Sequence, residues 1–232
     1  MKRTIALVLI VGVLGTAVLC GLGLWQLQRL GEKEAQIAAI AAQLEEEPVA
    51  LPDMPTEAAH EYLPVRVAGR YAVGELHVLT TGQGGGAAYR IIAPFLTVDG
   101  RRIMVDRGVV PGTAKDANRP AGGSDISGHL IWPDETDSYT FAPDIEDNEW
   151  FARDVPLMAE ALGTEPVLIQ LARTTLLGAP RPTPVTVNLP NNHLGYAVQW
   201  FGLAIVWAGM TVLLVIRTRR KTADTHHSEG NA

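Results

Sequence analysis

Two charge-free apolar runs, one near each end of the chain, constrain its fold more than any other feature. No charged residue occurs from Ile5 to Leu24 or from Tyr196 to Ile216. Each run has about 20 residues, and a helix of that length, rising about 1.5 Å per residue, crosses a hydrocarbon core of about 30 Å. The sequence therefore predicts two transmembrane helices, over residues 5–28 and 196–216.

The first run differs from a cleavable secretory signal. Its apolar stretch is longer than the usual core of about 7–15 residues, and Leu24, Trp25 and Leu27 stand where small residues would be needed for cleavage. Leu19 is also too large for the residue that precedes a lipoprotein cysteine at Cys20. These features favour a retained anchor.

The charges that flank the two runs predict their orientation. Lys2 and Arg3 lie in the N-terminal segment 1–4, and the C-terminal tail, residues 217–232, begins with a basic cluster. Basic flanks stay on the cytoplasmic side of a membrane. We therefore expect both termini in the cytoplasm and residues 29–195 on the far side. No Arg- and Ser-rich stretch precedes the first run, which favours a bacterial plasma (inner) membrane with a periplasmic domain.

The expected periplasmic domain begins with a helical segment and continues with strands. Apolar residues recur at helical spacing over residues 32–47, which predicts that the first helix runs on beyond the membrane until Pro48. A short helix is expected over 156–163, ending at Gly163. About seven strands separated by glycine-bearing turns predict a mainly β, α+β domain, folded as an antiparallel barrel or sandwich. The predicted strands cover 65–71, 75–79, 89–98, 101–110, 127–133, 149–155 and 166–173.

Residues for common enzyme chemistry are sparse. No serine stands in a G-x-S-x-G elbow, and the lone cysteine, Cys20, lies in the first apolar run, so an internal disulfide is excluded. No C-x-x-C or H-E-x-x-H motif is present to hold zinc or copper. No basic patch occurs outside the tail, so no nucleic-acid partner is expected.

One segment of the domain is strongly acidic. Between Asp134 and Glu149 there are seven acidic residues and no basic one, at a spacing that does not match a calcium loop. A solvated loop is the ordinary interpretation of such a run. A docking surface for a basic partner is the alternative.

The second helix, extended back through residue 191, carries two stripes of residues spaced seven apart. The stripes lie about 160° apart round the helix axis. They are His193, Trp200 and Trp207 on one side, and Gly195, Gly202 and Gly209 on the other. Small residues allow helix backbones to approach closely. We therefore expect the glycine stripe to pack on the first helix, in a groove of Gly12, Thr16 and Cys20, with the His/Trp stripe facing elsewhere.

Polar and aromatic residues gather where both helices leave the membrane on the same side. Trp25, Arg29 and Lys33 follow one another by single turns in the first helix, at the level of His193 in the second. An aromatic belt with snorkelling cations explains this pattern. A haem site explains it too, since haem needs an imidazole for iron, flat aromatic walls and cations for its propionates.

Three motifs, in order, resemble the surfeit-locus-one family of assembly factors for cytochrome c oxidase. The first is G-x-W-Q-x-x-R-x-x-x-K at the helix exit, residues 23–33, and the second is VDRGVVP, residues 105–111. The third is N-x-H-x-x-Y-A-x-x-W, residues 191–200, before the second apolar run. The order, the spacing and the two-helix layout extend the likeness over nearly the whole chain. One departure is Val109, where the family usually shows tryptophan.

The resemblance implies a non-enzymatic factor that helps haem a reach subunit I of the oxidase, with haem a synthase as a further candidate partner. Within that family function, His193 is expected to be an axial ligand of the haem iron, with its other nitrogen oriented by Asn191 or Asn192. Trp200, Tyr196 and Trp25 are expected to supply the aromatic walls, and Arg29 to face a propionate.

Three other functions stay open at this point. In the first, the protein is a haem-free scaffold that only stabilises subunit I during assembly, and His193→Ala would then still support oxidase assembly. An enzyme acting on a lipid-soluble cofactor would need a richer titratable cluster than one histidine and a cation. A copper chaperone would need thiols that the exported domain lacks.

Overall fold

The computed structural model describes residues 2–82, 84–119, 122–173, 179–186 and 189–229. The chain forms two compact units. One contains both ends of the chain, Met1–Ala38 and Asn188–Ala232, and the other contains the centre, Ala39–Val187.

The two ends of the chain form two long helices. Helix α1 spans Lys2–Leu44 and helix α4 spans His193–Glu229. Both are long and apolar enough to cross a membrane, judged by length and composition. The predicted continuation of α1 beyond the apolar run is confirmed, since the helix ends only at Leu44, four residues before Pro48. Proline disfavours the helical conformation of the residue before it.

The central unit is built on one mixed sheet of eight strands. In chain order the strands are β1 (Val49–Ala50), β2 (Pro64–Tyr71), β3 (Leu76–Thr81), β4 (Ala87–Thr97), β5 (Arg102–Pro111), β6 (Gly123–Ile131), β7 (Glu149–Trp150) and β8 (Leu168–Leu171). The short helices α2 (Glu57–His60) and α3 (Val155–Leu162) complete the unit.

Five of the strands close into a ring. The sheet order is β1-β2-β6-β8-β5-β4-β3-β7, and a further pairing of β2 with β4 joins Tyr71 to Phe95 across the gap. The ring β2-β6-β8-β5-β4 therefore has no free edge, which is the arrangement of a small barrel. Of the two architectures predicted, barrel and sandwich, the strand pairing agrees with the barrel.

The expectation of a purely antiparallel sheet is wrong. Strands β5 and β8 run parallel, as do β1 with β2 and β3 with β7. The chain between β5 and β8 includes β6, β7 and α3. A parallel neighbour needs such a long crossover, whereas a short turn joins antiparallel strands.

Most of one predicted strand is absent. Only Glu149 and Trp150 of the expected strand 149–155 pair, since residues 151–154 form a bend that leads into α3 at Val155. Asp154 caps this helix, its carboxylate accepting a hydrogen bond of 3.0 Å from the backbone N–H of Leu157. The expected stop is confirmed, since Gly163 has a left-handed φ of +61°.

Two apolar clusters share the same strands by alternation. Ala93, Phe95 and Ile103 belong to one cluster, together with residues of β2, β6 and β8. Ile92 and Met104 belong to the other, which packs on α3. Successive strand residues point to opposite faces. Strands β4 and β5 therefore place alternate residues in the barrel interior and in the cluster beneath α3.

Candidate functional site

The helices α1 and α4 pack antiparallel, with glycines of α1 beneath bulky residues of α4. A Cβ atom placed on Gly23 would lie 2.7 Å from Cζ of Phe201, and one on Gly12 would overlap Thr211. Gly15 receives Trp207 in the same way. Each of these glycines therefore leaves space that a side chain of the opposite helix occupies.

The expected packing face of α4 is wrong, because His193 and Trp207 of the His/Trp stripe contact α1 and the glycine stripe does not. Side chains added at Gly195, Gly202 and Gly209 would meet nothing within 4 Å among the described residues. The buried positions of α4 are Ala197 and Ala204 instead. The reason is that one helix supplies the small residues and the other the large ones, so α4 needs no glycine at the contact.

His193 joins the two helices through one hydrogen bond. Its Nδ1 lies 2.8 Å from Oε1 of Gln26, whose side chain is buried, with 8% of the residue exposed. An amide oxygen only accepts, so this contact requires the proton on Nδ1, and in that neutral tautomer Nε2 keeps its lone pair. Within the described part of the chain, no hydrogen bond engages Nε2. This is the tautomer that a metal ligand needs.

Gln26 takes the role that was expected of Asn191 or Asn192. Oδ1 of Asn191 is buried and has no hydrogen-bond partner among the described residues. Gln26 belongs to the first motif, but nothing in its position along the sequence links it to His193. One sequence signal could have indicated this contact. Gln26 is a polar residue one turn after Gly23, so it lies on the side of α1 that contacts α4.

The aromatic residues of the predicted site differ in exposure. Trp200 is half-buried, whereas Tyr196 and Trp25 are exposed. Tyr196 lines an open cavity of about 350 Å³ together with Asn191, Asn192, Gly195 and Gln199. Trp25 lies about 100° round α1 from Gln26, so it stands beside the helix contact rather than in it.

Arg29 has a local partner in α1. Its Nη1 lies 2.6 Å from the carboxylate of Glu32, and both side chains are about half exposed. Arg29 and Trp25 are one turn apart and occupy the same side of α1. The structure therefore brings His193 and Gln26 together, and it sets Trp25 and Arg29 side by side on the neighbouring flank.

The second motif is part of a buried ionic cluster in the central unit. Asp106 is wholly buried and accepts hydrogen bonds from Nη1 of Arg90, at 2.6 Å, and from the backbone N–H of Gly108, at 3.0 Å. Arg153 lies 3.5 Å away. Burial alone raises the pKa of Glu135, but the hydrogen bonds and charge of Arg153 outweigh it and hold that pKa below its usual value.

The same motif fixes the segment 179–186 to the barrel. Val109, the one departure from the second motif, exchanges two backbone hydrogen bonds with Arg181, at 2.8 and 3.0 Å. Gly108 has φ of +109°, and the carbonyl of Arg181 occupies the space that a Cβ would need. Nη1 of Arg90 also donates to the hydroxyl of Thr183, at 2.9 Å. The glycine of VDRGVVP therefore has a structural role.

Few groups could hold a metal ion through protein ligands alone. Across the described ranges, no three His, Cys, Asp or Glu residues come close enough together to bind one. A haem iron needs only an axial ligand from the protein, since the porphyrin supplies the other four. His193 fits that requirement.

Comparison with known proteins gives a consistent result. The SURF1 family model matches residues 13–205. A SURF1-like protein of Monosiga brevicollis is 33% identical over 215 residues, covering 84% of this chain and 82% of its own. Surfeit locus protein 1 of Gallus gallus is 32% identical, covering 78% and 67%. A SURF1-like protein of Rickettsia felis is 28% identical, covering 87% and 92%.

Proposed function

The chain belongs to the SURF1 family, and we propose that it is a membrane-anchored, non-enzymatic assembly factor for cytochrome c oxidase. In this proposal it binds haem a at the membrane boundary and passes it to subunit I. Haem a synthase is the candidate donor. Family membership supports the general role in oxidase assembly, and the geometry at His193 supports the specific role in haem handling.

The proposed location is the bacterial plasma (inner) membrane. Helices α1 and α4 would cross it, and their antiparallel packing agrees with two successive crossings. Arg3 before the first run and Arg217, Arg219 and Arg220 after the second would keep both termini in the cytoplasm. The central unit would then be periplasmic, and His193 would lie at the periplasmic boundary.

One observation carries the haem proposal: the hydrogen bond from Nδ1 of His193 to Oε1 of Gln26. Metal-binding histidines almost always donate their second N–H to an acceptor, which fixes the tautomer and the ring orientation. Gln26 is such an acceptor, and it is buried. Haem a, when bound, would supply an iron that accepts the Nε2 lone pair and a long isoprenoid tail that prefers lipid.

The remaining residues of the proposed site would bind the porphyrin rather than the iron. Tyr196 and Trp200 offer aromatic surfaces one and two turns after His193 on α4, and Trp25 offers one next to Gln26 on α1. Arg29 would face a propionate. Its present ion pair with Glu32 is about half exposed, and such pairs contribute only about 0–1 kcal/mol, so Arg29 can exchange one carboxylate for another at little cost.

The test is a visible absorption spectrum of the detergent-purified protein, co-expressed with enzymes that make haem a. Wild type, His193→Ala and the control His60→Ala, which removes an imidazole from the central unit, would be compared. We expect Soret and alpha bands of haem a in wild type and control, and their loss in His193→Ala.

Two results would change the proposal. A wild-type protein free of haem would favour the scaffold that stabilises subunit I without haem. Haem a bound equally by His193→Ala would keep the haem function and exclude His193 as its ligand.

A further inference from the structure

The loop between β6 and β7 exposes large apolar side chains. Tyr139 is 86% exposed, Phe141 75% and Ile145 69%. Soluble surfaces rarely expose such residues close together unless they contact a partner. The loop lies in the central unit and is independent of His193 and of the proposed haem function.

Internal hydrogen bonds stabilise two turns of this loop. Oδ1 of Asp137 accepts from the backbone N–H of Tyr139, at 2.8 Å, and from the hydroxyl of Thr140, at 3.0 Å. Asp144 exchanges two backbone hydrogen bonds with Glu149, both of 2.8 Å. The exposed side chains are therefore carried on ordered turns, which lowers the entropy lost when a partner binds.

A groove of about 240 Å³ lies between this loop and the start of α3. Phe141 packs edge-to-face on Phe151, with ring centroids 5.8 Å apart. Pro143, Trp150 and Leu157 complete the apolar lining, and Asp137 and Asp154 contribute carboxylates. We call this the aromatic groove. Its size suits one large apolar side chain.

The loop that borders the aromatic groove carries unbalanced negative charge. Of the seven acidic residues from Asp134 to Glu149, Glu135 pairs with Arg153 and Glu149 with Lys115. Five have no ion pair within the described ranges: Asp134, Asp137, Asp144, Glu146 and Asp147. This field attracts cations and repels anionic lipid headgroups.

We propose that the aromatic groove is a docking site for a segment of a partner protein that presents one large apolar side chain flanked by lysines or arginines. The apolar side chain enters beside Phe141 and Phe151, and the flanking cations meet the unpaired carboxylates. Charge complementarity selects a basic protein segment over a bilayer surface.

The test is fluorescence anisotropy of a labelled peptide, KKLWKK, added to the full-length protein in dodecyl maltoside, with empty micelles as the blank. We expect a Kd on the order of 100 µM at low salt, weakening as ionic strength rises. The peptide EELWEE keeps the apolar residues and reverses the charge, and KKGGKK keeps the charge and lacks the apolar residues. Neither should bind measurably.

Exposed positions allow variants that leave the fold intact. Phe141→Ser removes one aromatic wall of the groove. It is expected to weaken peptide binding about tenfold, as loss of a hot-spot aromatic does. The triple variant Asp134→Asn, Glu146→Gln, Asp147→Asn should weaken it by a similar factor and flatten its salt dependence. A control triple, Glu45→Gln, Glu46→Gln, Glu47→Gln, removes the same charge elsewhere in the central unit and should bind as wild type does.

Circular dichroism would establish that each variant is folded, and Leu157→Ser, at a partly exposed position of the groove lining, gives a second test of the apolar contact. The proposal is overturned if KKLWKK does not bind at millimolar concentration, or if folded Phe141→Ser binds it as tightly as wild type. It is also overturned if the loop variants lose binding to phosphatidylglycerol vesicles instead of to the peptide.

Discussion

Gln26 and His193 are 167 positions apart in the sequence, yet their side chains share a hydrogen bond of 2.8 Å. This contact joins the first and third family motifs, which lie on different helices. It gives each residue a reason to be polar at a helix contact whose other members are apolar or small. Several expected outcomes depend on it and on the ionic cluster of the central unit.

The first prediction concerns Gln26, the hydrogen-bond acceptor of His193 Nδ1. Gln26→Leu keeps the approximate size of the side chain and removes the oxygen that His193 Nδ1 contacts. Loss of such an acceptor typically weakens metal binding about 10–100-fold. We expect the amount of haem a per protein, read from the Soret band, to fall accordingly, while Gln26→Glu retains binding.

The matched control is Gln28→Leu, since Gln28 is exposed on the same helix. It should bind haem a as wild type does. If Gln26→Leu carries as much haem a as Gln28→Leu does, the hydrogen bond only packs the two helices together.

The second prediction concerns the packing of α1 on α4. Gly23→Leu would drive a side chain into Phe201, and overpacking of this kind costs about 1–3 kcal/mol. Gly21→Leu places the same side chain where no atom lies within 4 Å. We expect a lower thermal unfolding midpoint in detergent for Gly23→Leu and little change for Gly21→Leu. Equal midpoints would contradict the described contact.

Sequence periodicity sufficed for the helices and most strands because those signals are local. The end of α1 before Pro48, the stop at Gly163 and the strand positions all follow from neighbours within a few residues. The ring closure through β2 and β4, and the parallel pairing of β5 with β8, depend on partners far apart in the chain. No pattern within either strand specifies them.

The candidate site was predictable in part, for a related reason. The motif spacing selected His193 and its aromatic neighbours as candidates, but it left the acceptor of the Nδ1 proton to Asn191 or Asn192. Gln26 could be assigned only once the facing positions of α1 and α4 were known. The glycine stripe failed similarly, because small residues show where a helix could be approached and not which partner approaches it.

The third prediction concerns the buried carboxylate of the second motif. Asp106→Asn would leave Arg90 and Arg153 beside a neutral amide in the interior. Breaking a buried ion pair by removing one partner costs about 3–5 kcal/mol. Chemical denaturation should show that loss of unfolding free energy, whereas Asp116→Asn, at an exposed position, should change it by less than about 0.5 kcal/mol. An unchanged stability of Asp106→Asn would mean that the cluster relaxes.

The fourth prediction is a pH dependence of stability that involves Glu135. Burial raises the pKa of Glu135, but the hydrogen bonds and charge of Arg153 outweigh it, so the pKa in the folded protein lies below its ordinary value. A carboxyl group with a lowered folded pKa stabilises the protein above its unfolded pKa, and this contribution disappears as the pH falls through the folded pKa. Glu135 is partly exposed, so the contribution is at most about 1 kcal/mol.

Urea unfolding of wild type and Glu135→Gln, followed from about pH 7 down to about pH 3, measures this contribution. The variant should be less stable near neutral pH, and the difference should shrink as the solution becomes acidic, because protonated Glu135 resembles glutamine. The variant Glu160→Gln, exposed on α3, serves as the control and should track the wild type at every pH. A difference between Glu135→Gln and wild type that stays constant over the whole range would show that Arg153 is held by packing and by Asp106 rather than by the charge of Glu135.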